Sequence, residues 1–74
     1  MNHVIILHIG DKVRPAEAVI KASLALRRIL VATGRQTGVI VDIADDGEAY
    51  PVRVEFGSGY RYWFESYEVE RVNE

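Results

Sequence analysis

Aromatic side chains suited to a binding surface are concentrated in the last third of this 74-residue sequence. Tyr60, Arg61, Trp63 and Tyr67 lie within eight consecutive residues. If this segment is a strand, alternation places Arg61 and Trp63 on the face opposite to the neighbouring aromatic residues. Tryptophan, tyrosine and arginine carry much of the binding energy in protein interfaces. We therefore predict that these four residues contact a protein partner; the alternative is that Trp63 packs beneath a helix.

Basic residues are concentrated in the first half of the chain. Residues 1–38 contain six basic and two acidic side chains, whereas residues 39–74 contain three basic and nine acidic ones, within a net charge of −2. The six basic residues are Lys12, Arg14, Lys21, Arg27, Arg28 and Arg35. They could bind phosphates while the aromatic residues stack on bases, so nucleic-acid binding is the alternative function. The acidic second half argues against it, and the two halves could instead face each other within the fold.

The sequence offers no recognisable catalytic apparatus. It has no cysteine, which excludes a disulfide framework, a thiolate zinc site and a cysteine nucleophile. On a strand, His3 and His8 would lie on opposite faces and could not share a metal. The acidic cluster between Asp42 and Glu48 lacks the spacing of a calcium-binding loop. We expect neither enzymatic activity nor a metal or cofactor, unless a site is built between subunits.

One helix is predicted over residues 16–33, which contain neither glycine nor proline and are followed by Gly34 as a terminator. At 100° per residue its apolar side chains form two arcs. The inner arc consists of Val19, Ala22, Leu26, Ile29 and Leu30. The second arc consists of Ile20, Leu24 and Val31. The second arc is either buried in a groove or contacts a partner, which could be a second copy in a homodimer formed through the helix.

The remaining segments predict five short strands. The apolar run Val4–Ile9 forms the first, residues 39–43 alternate as the second, and Val52, Val54 and Phe56 share one face of the third. Gly57, Ser58 and Gly59 form a tight turn before a strand over residues 60–64, and a last strand holds Val69 and Val72. The expected fold is mainly β, in the order β-α-β-β-β-β, as one partly open five-stranded barrel over residues 1–74.

Short motifs resemble those of SH3-like barrels. They are Gly10-Asp11-Lys12-Val13-Arg14, Thr37-Gly38-Val39-Ile40-Val41, Tyr50-Pro51-Val52-Arg53-Val54-Glu55-Phe56 and a closing Glu-Val-Glu-Arg-Val. The pattern is similar to barrels of the KOW and mind-bomb type, the photosystem I reaction-centre subunit IV family and the C-terminal barrel of nitrile hydratase beta subunits, over about two thirds of the chain. The resemblance implies the fold and no activity. The predicted helix replaces a loop that carries ligand contacts in many such domains, so no binding residue is transferred.

The first apolar run is too short to span a membrane and no basic segment precedes it, so we expect a cytoplasmic protein without membrane contact. The function predicted first is a small protein-binding adaptor, accessory or inhibitor module. A nucleic-acid-binding barrel and a self-associating structural subunit are the alternatives. Isolated SH3-like chains of this size are often accessory subunits or products of phages and mobile elements.

Overall fold

A computed structural model describes residues 7–44 and 51–72 of the chain. The elements are β1 (Lys12–Pro15), α1 (Glu17–Ala22), α2 (Leu24–Thr33), β2 (Gly38–Ile43), β3 (Val52–Glu55), β4 (Arg61–Phe64), a 3-10 turn (Ser66–Glu68) and β5 (Val69–Arg71). The expected strand-rich fold is confirmed: among the described residues, five antiparallel strands form one sheet in the order β4-β3-β2-β1-β5. No helix within the described residues is long and apolar enough to cross a membrane.

The sheet is strongly curled but does not close into a barrel. β4 and β5 lie at its two edges, yet only residues 65–68 join them, and three of these form the 3-10 turn. In a flat sheet the two edges would lie about 19 Å apart, because neighbouring strands are separated by about 4.8 Å. The connection spans only about 13 Å, since a 3-10 turn rises about 2 Å per residue. The edges must therefore be drawn towards each other.

The concave face of the sheet holds the core. The fully buried apolar residues are Val13, Leu26, Ile40, Val52, Val54, Phe56, Phe64 and Val69. Phe56 and Phe64 meet edge to face with ring centroids 6.2 Å apart, a favoured aromatic geometry. The predicted placement of Val52, Val54 and Phe56 on one face of their strand is confirmed, and that face is the buried one; helix α2 contributes the buried Leu26.

A β-bulge in β2 changes which of its side chains face the core. The pairing register with β3 shifts between Ile40 and Asp42, so Val41 is the extra residue. Ile40 and Ile43 therefore both pack inward although three positions separate them. Gly38 begins this strand where a β-carbon would lie 2.5 Å from Val54 Cγ1, so the close approach of β2 and β3 requires glycine.

The prediction of a first strand at Val4–Ile9 is wrong for the part that can be compared. Residues 7–9 are not in a strand and Ile9 is 65% exposed, whereas residues 4–6 lie outside the described residues. A turn follows, in which the His8 backbone N–H donates to Asp11 Oδ2 at 2.8 Å, and β1 then begins at Lys12. Val13 and Pro15 are buried on either side of exposed Arg14 in this short strand. Pro15 lies beyond the residues that pair with β2, so its missing N–H interrupts no bond to that strand.

The single helix predicted over residues 16–33 is also wrong, because two helices meet at Ser23. Ser23 has extended backbone angles (φ −121°, ψ 109°), and its Oγ accepts a hydrogen bond from the Leu26 backbone N–H at 3.1 Å. This is an N-cap, which satisfies one of the free donors at the start of α2. The predicted terminator is confirmed: Gly34 has φ 65° and donates its backbone N–H to the carbonyls of Leu30 and Val31.

Candidate functional site

The outer face of the sheet carries the candidate site, centred on Trp63. Trp63 is 45% exposed and lies on the side of β4 opposite to the buried Phe64, so it does not pack beneath the helices. Arg53 on β3 is its direct cross-strand neighbour, with the guanidinium carbon 5.8 Å from the centre of the ring. This is a cation–π contact, which holds the indole in place while leaving it accessible.

A second row of side chains crosses the outer face next to Trp63. Arg61 on β4 donates its Nε–H to Glu55 Oε1 on β3 at 2.9 Å, and the two residues are direct cross-strand neighbours. Glu55 in turn lies opposite the exposed Val39 on β2, which lies opposite Lys12 on β1. The outer face therefore alternates aromatic, apolar and charged groups of both signs over four neighbouring strands.

The other predicted aromatic contacts flank β4. Tyr60 is exposed at the end of the turn before β4, where Gly57, Ser58 and Gly59 all have positive φ. Tyr67 lies in the 3-10 turn after β4 and is 81% exposed. Two exposed tyrosines thus lie at the two ends of the strand that carries Trp63.

Tyr62 has a structural role on the inner face. It packs against the core with its ring centroid 4.9 Å from that of Phe64. Its hydroxyl lies 3.0 Å from Ser23 Oγ, so it ties the edge strand to the junction of the two helices. This long-range bond positions α1 and α2 over the concave face.

The second predicted contact surface is the second apolar arc of the helical segment, and only part of this arc is exposed. Ile20 packs against the core, and so do Val19, Ile29 and Leu30 of the inner arc. Leu24 (53%) and Val31 (83%) are exposed on α2, seven residues apart on one stripe. This stripe belongs to the helical layer, whereas Trp63 lies on the opposite side of the sheet. The predicted contact residues therefore form two separate surfaces.

The six basic residues do not form one basic surface. Arg14 pairs with Glu70 at 3.2 Å and Lys21 with Glu17 at 3.4 Å. Two arginines lie on α2. Arg27 donates a terminal N–H to the Lys21 carbonyl at 2.8 Å, and Arg28 is exposed. These four basic side chains are spread over β1, α1 and α2, and the positive charges of Arg14 and Lys21 are paired with carboxylates.

Lys12 and Arg35, the other two basic residues, line a cavity of about 210 Å³. Its wall also contains Thr37, Gly38, Val39, Glu55, Phe56 and Gly57. The Arg35 side chain lies against Gly57, where a β-carbon would be 3.1 Å from Arg35 Nε. The cavity is smaller than the pockets that usually hold small-molecule ligands, which occupy about 300 to 1,000 Å³. Its charges are of both signs, so it does not identify a phosphate site.

The described part of the chain contains no group of three acidic or histidine side chains that could hold a metal. His8 is exposed beside Asp11, where it forms part of the turn before β1. His3 and residues 45–48 of the acidic cluster lie outside the described residues. Every buried side-chain polar atom of the described residues has a hydrogen-bond partner.

Comparison with protein-family models, curated proteins and solved structures gives no significant match to this chain. The SH3-like barrel family therefore stays a prediction from the motifs.

Sequence reasoning missed Arg53 as a part of the site, although a signal was present. The turn centred on Ser58 makes a hairpin in which residues equally far from that centre face each other. Arg53 and Trp63 are each five residues away, and Glu55 and Arg61 are each three residues away. A hairpin centred on Gly57-Ser58-Gly59 therefore predicts that Arg53 faces Trp63 and that Glu55 faces Arg61.

Proposed function

We propose that this chain is a non-enzymatic protein-binding module that uses the outer face around Trp63. The observation that carries the proposal is that Trp63 is exposed and oriented by Arg53, while the core is complete without it. The exposed part of a tryptophan side chain does not pack within its own domain and so does not stabilise the fold. Burial of that part against a partner would remove its apolar surface from water.

The exposed part of Trp63 is large enough to anchor a contact. A tryptophan side chain can bury up to about 250 Å², so the 45% that is exposed here corresponds to roughly 110 Å². At about 25 cal/mol per Å², complete burial contributes about 2 to 3 kcal/mol, which is the range of an interface hot spot. The Arg61–Glu55 ion pair beside it supplies polar groups for orientation.

The mixed charge of the outer face favours a protein over a nucleic acid as the partner. Of its charged side chains, Arg61 bonds to Glu55 and Arg53 covers the indole ring, so neither is a simple phosphate-binding cation. The proposed SH3-like fold is supported by the strand order, in which a three-strand meander of β2, β3 and β4 continues through β1 to β5. The activity, by contrast, is proposed from the site alone.

Affinity capture of the full chain tests the proposal. The tagged protein is incubated with native lysate, with and without nuclease, and bound proteins are quantified by mass spectrometry. Trp63→Ala is compared with Leu24→Ala, a matched truncation of an exposed apolar side chain on the helical layer. A captured protein is then purified and its affinity for each variant is measured by calorimetry.

We expect a nuclease-resistant partner whose affinity falls about 30-fold with Trp63→Ala, which corresponds to about 2 kcal/mol, and stays unchanged with Leu24→Ala. Retention of every partner by a folded Trp63→Ala variant would contradict the proposal. Loss with Leu24→Ala alone would move the binding surface to α2. Loss of all capture with nuclease would favour the nucleic-acid alternative.

A further inference from the structure

The outer edge of β4 presents backbone groups that no described strand pairs. Within residues 7–44 and 51–72, β4 pairs only with β3. The Phe56 backbone N–H donates to the Tyr60 carbonyl at 2.9 Å, and hydrogen-bonded pairs alternate with non-hydrogen-bonded pairs in an antiparallel ladder. Arg61 and Trp63 are therefore the non-bonded positions towards β3. Their N–H and C=O groups point away from β3, to the edge that no described strand pairs.

The sequence along this edge is self-complementary. Arg61-Tyr62-Trp63-Phe64-Glu65 has opposite charges at equal distances from its central tryptophan and an aromatic residue on each side of it. When such a segment pairs antiparallel with its own copy about Trp63, Arg61 faces Glu65 of the second copy and Trp63 faces Trp63. Opposite charges and aromatic pairs directly across a ladder are both stabilising.

We propose that two copies of this chain pair antiparallel along β4, with the two-fold axis beside Trp63, and so join two five-stranded sheets into one. The two Trp63 residues exchange N–H to C=O bonds at the axis, because both of their backbone groups point to the edge. Two-fold pairing of identical surfaces is the commonest geometry of homo-oligomers. The outer faces remain open, so the dimer places two Trp63 side chains next to each other for a further partner.

The existing bonds of Arg61 and Glu65 limit the length of the new ladder. Arg61 bonds to Glu55 through Nε and keeps further guanidinium donors for a second carboxylate. The Glu65 N–H donates to Glu68 Oε1 at 2.8 Å, so it is not available to the second copy. Backbone pairing is therefore centred on Trp63, and the two Arg61–Glu65 contacts supply the register. Such a short ladder predicts weak, salt-sensitive association.

Sedimentation equilibrium of the full chain, from about 10 µM to about 1 mM, tests the proposal over the range of weak association. Arg61→Glu and Glu65→Arg each place like charges opposite each other, and each is expected to weaken association at least about tenfold. A mixture of the two variants restores both contacts: the introduced charges face each other, and native Arg61 faces native Glu65. The mixture is therefore expected to form the heterodimer.

Arg14→Glu and Glu70→Arg are the matched controls, since this exposed cross-strand pair lies away from β4. They are expected to leave association unchanged. Because Glu65 also caps the 3-10 turn, Glu65→Gln is measured as well: it keeps an acceptor for the turn and should reduce the salt sensitivity of association.

Several outcomes overturn the self-pairing. The first is that the unmodified chain is monomeric at every concentration. The second is that neither Arg61→Glu nor Glu65→Arg weakens association. The third is that the mixture of the two variants stays monomeric although both are folded. A monomer that still loses a heterologous partner with Trp63→Ala would overturn the dimer alone and leave the protein-binding proposal intact. Concentration-dependent association that fails with the single reversals and returns in the mixture is the supporting result.

Discussion

Replacement of Ser23 by alanine distinguishes two helices from one by the sign of its effect on stability. In a continuous helix over residues 16–33, alanine is the better helix former and the change would raise the free energy of unfolding by about 0.5 kcal/mol. In the observed structure Ser23 is the extended residue between α1 and α2, and its Oγ bonds to both Leu26 and Tyr62. The same change should therefore lower stability.

The size of the loss follows from the two bonds of Ser23 Oγ. Removal of a serine N-cap costs about 1 kcal/mol, within a range of about 0.5 to 2 kcal/mol. Loss of the bond to the partly buried Tyr62 hydroxyl adds about 1 kcal/mol. The expected total of about 2 kcal/mol corresponds to a fall in Tm of about 8 to 16 °C for a domain of this size.

Thermal and denaturant unfolding followed by circular dichroism measures the effect. Ser23→Thr keeps the hydroxyl and should retain most of the stability, whereas Tyr62→Phe removes the other partner. A double-mutant cycle of Ser23→Ala with Tyr62→Phe should give a coupling of about 1 kcal/mol. Tyr60→Phe, which removes the hydroxyl of an exposed tyrosine, is the control and should change stability by less than about 0.5 kcal/mol. A neutral or stabilising Ser23→Ala, or strictly additive effects in the cycle, would refute the reasoning.

Three further changes test the packing around the site by denaturant unfolding. Gly38→Ala should lower the free energy of unfolding by about 1 to 3 kcal/mol, because its β-carbon would overpack the space between β2 and β3. Gly34→Ala should lower it less, by about 1 kcal/mol, because it adds the strain of a positive φ but no clash. A larger loss for Gly34→Ala would contradict the close approach of β2 and β3. Trp63→Ala should lower the free energy of unfolding by about 1 kcal/mol or less, because Trp63 is exposed, whereas truncation of the buried Phe64 to alanine should lower it by about 3 to 5 kcal/mol. Equal losses for the two variants would place Trp63 in the core. Arg14→Ala removes an exposed ion pair and should cost no more than about 1 kcal/mol, less in high salt; an undiminished cost in high salt would argue against an ionic origin.

Features that depend on neighbours along the chain could be read from the sequence. Gly34 ends the second helix because only glycine adopts its left-handed conformation without strain. Val52, Val54 and Phe56 face the core because alternation is a property of the strand itself. The same alternation placed Trp63 on the face opposite to Phe64, and the turn at residues 57–59 defined the hairpin that carries both.

Only the tertiary structure decided the features that depend on distant residues. The break at Ser23 is supported by the Tyr62 hydroxyl, 39 positions later in the chain, which no helical period can reveal. Ile20 is covered and Val31 is left exposed, although both belong to the second arc, because the break at Ser23 places them on two separate helices. Among the described residues the first strand lies at Lys12–Pro15, which is fixed by its pairing with β2 on one side and β5 on the other. Propensity and periodicity are local, whereas burial and pairing are set by contacts between segments that the chain brings together only when it folds.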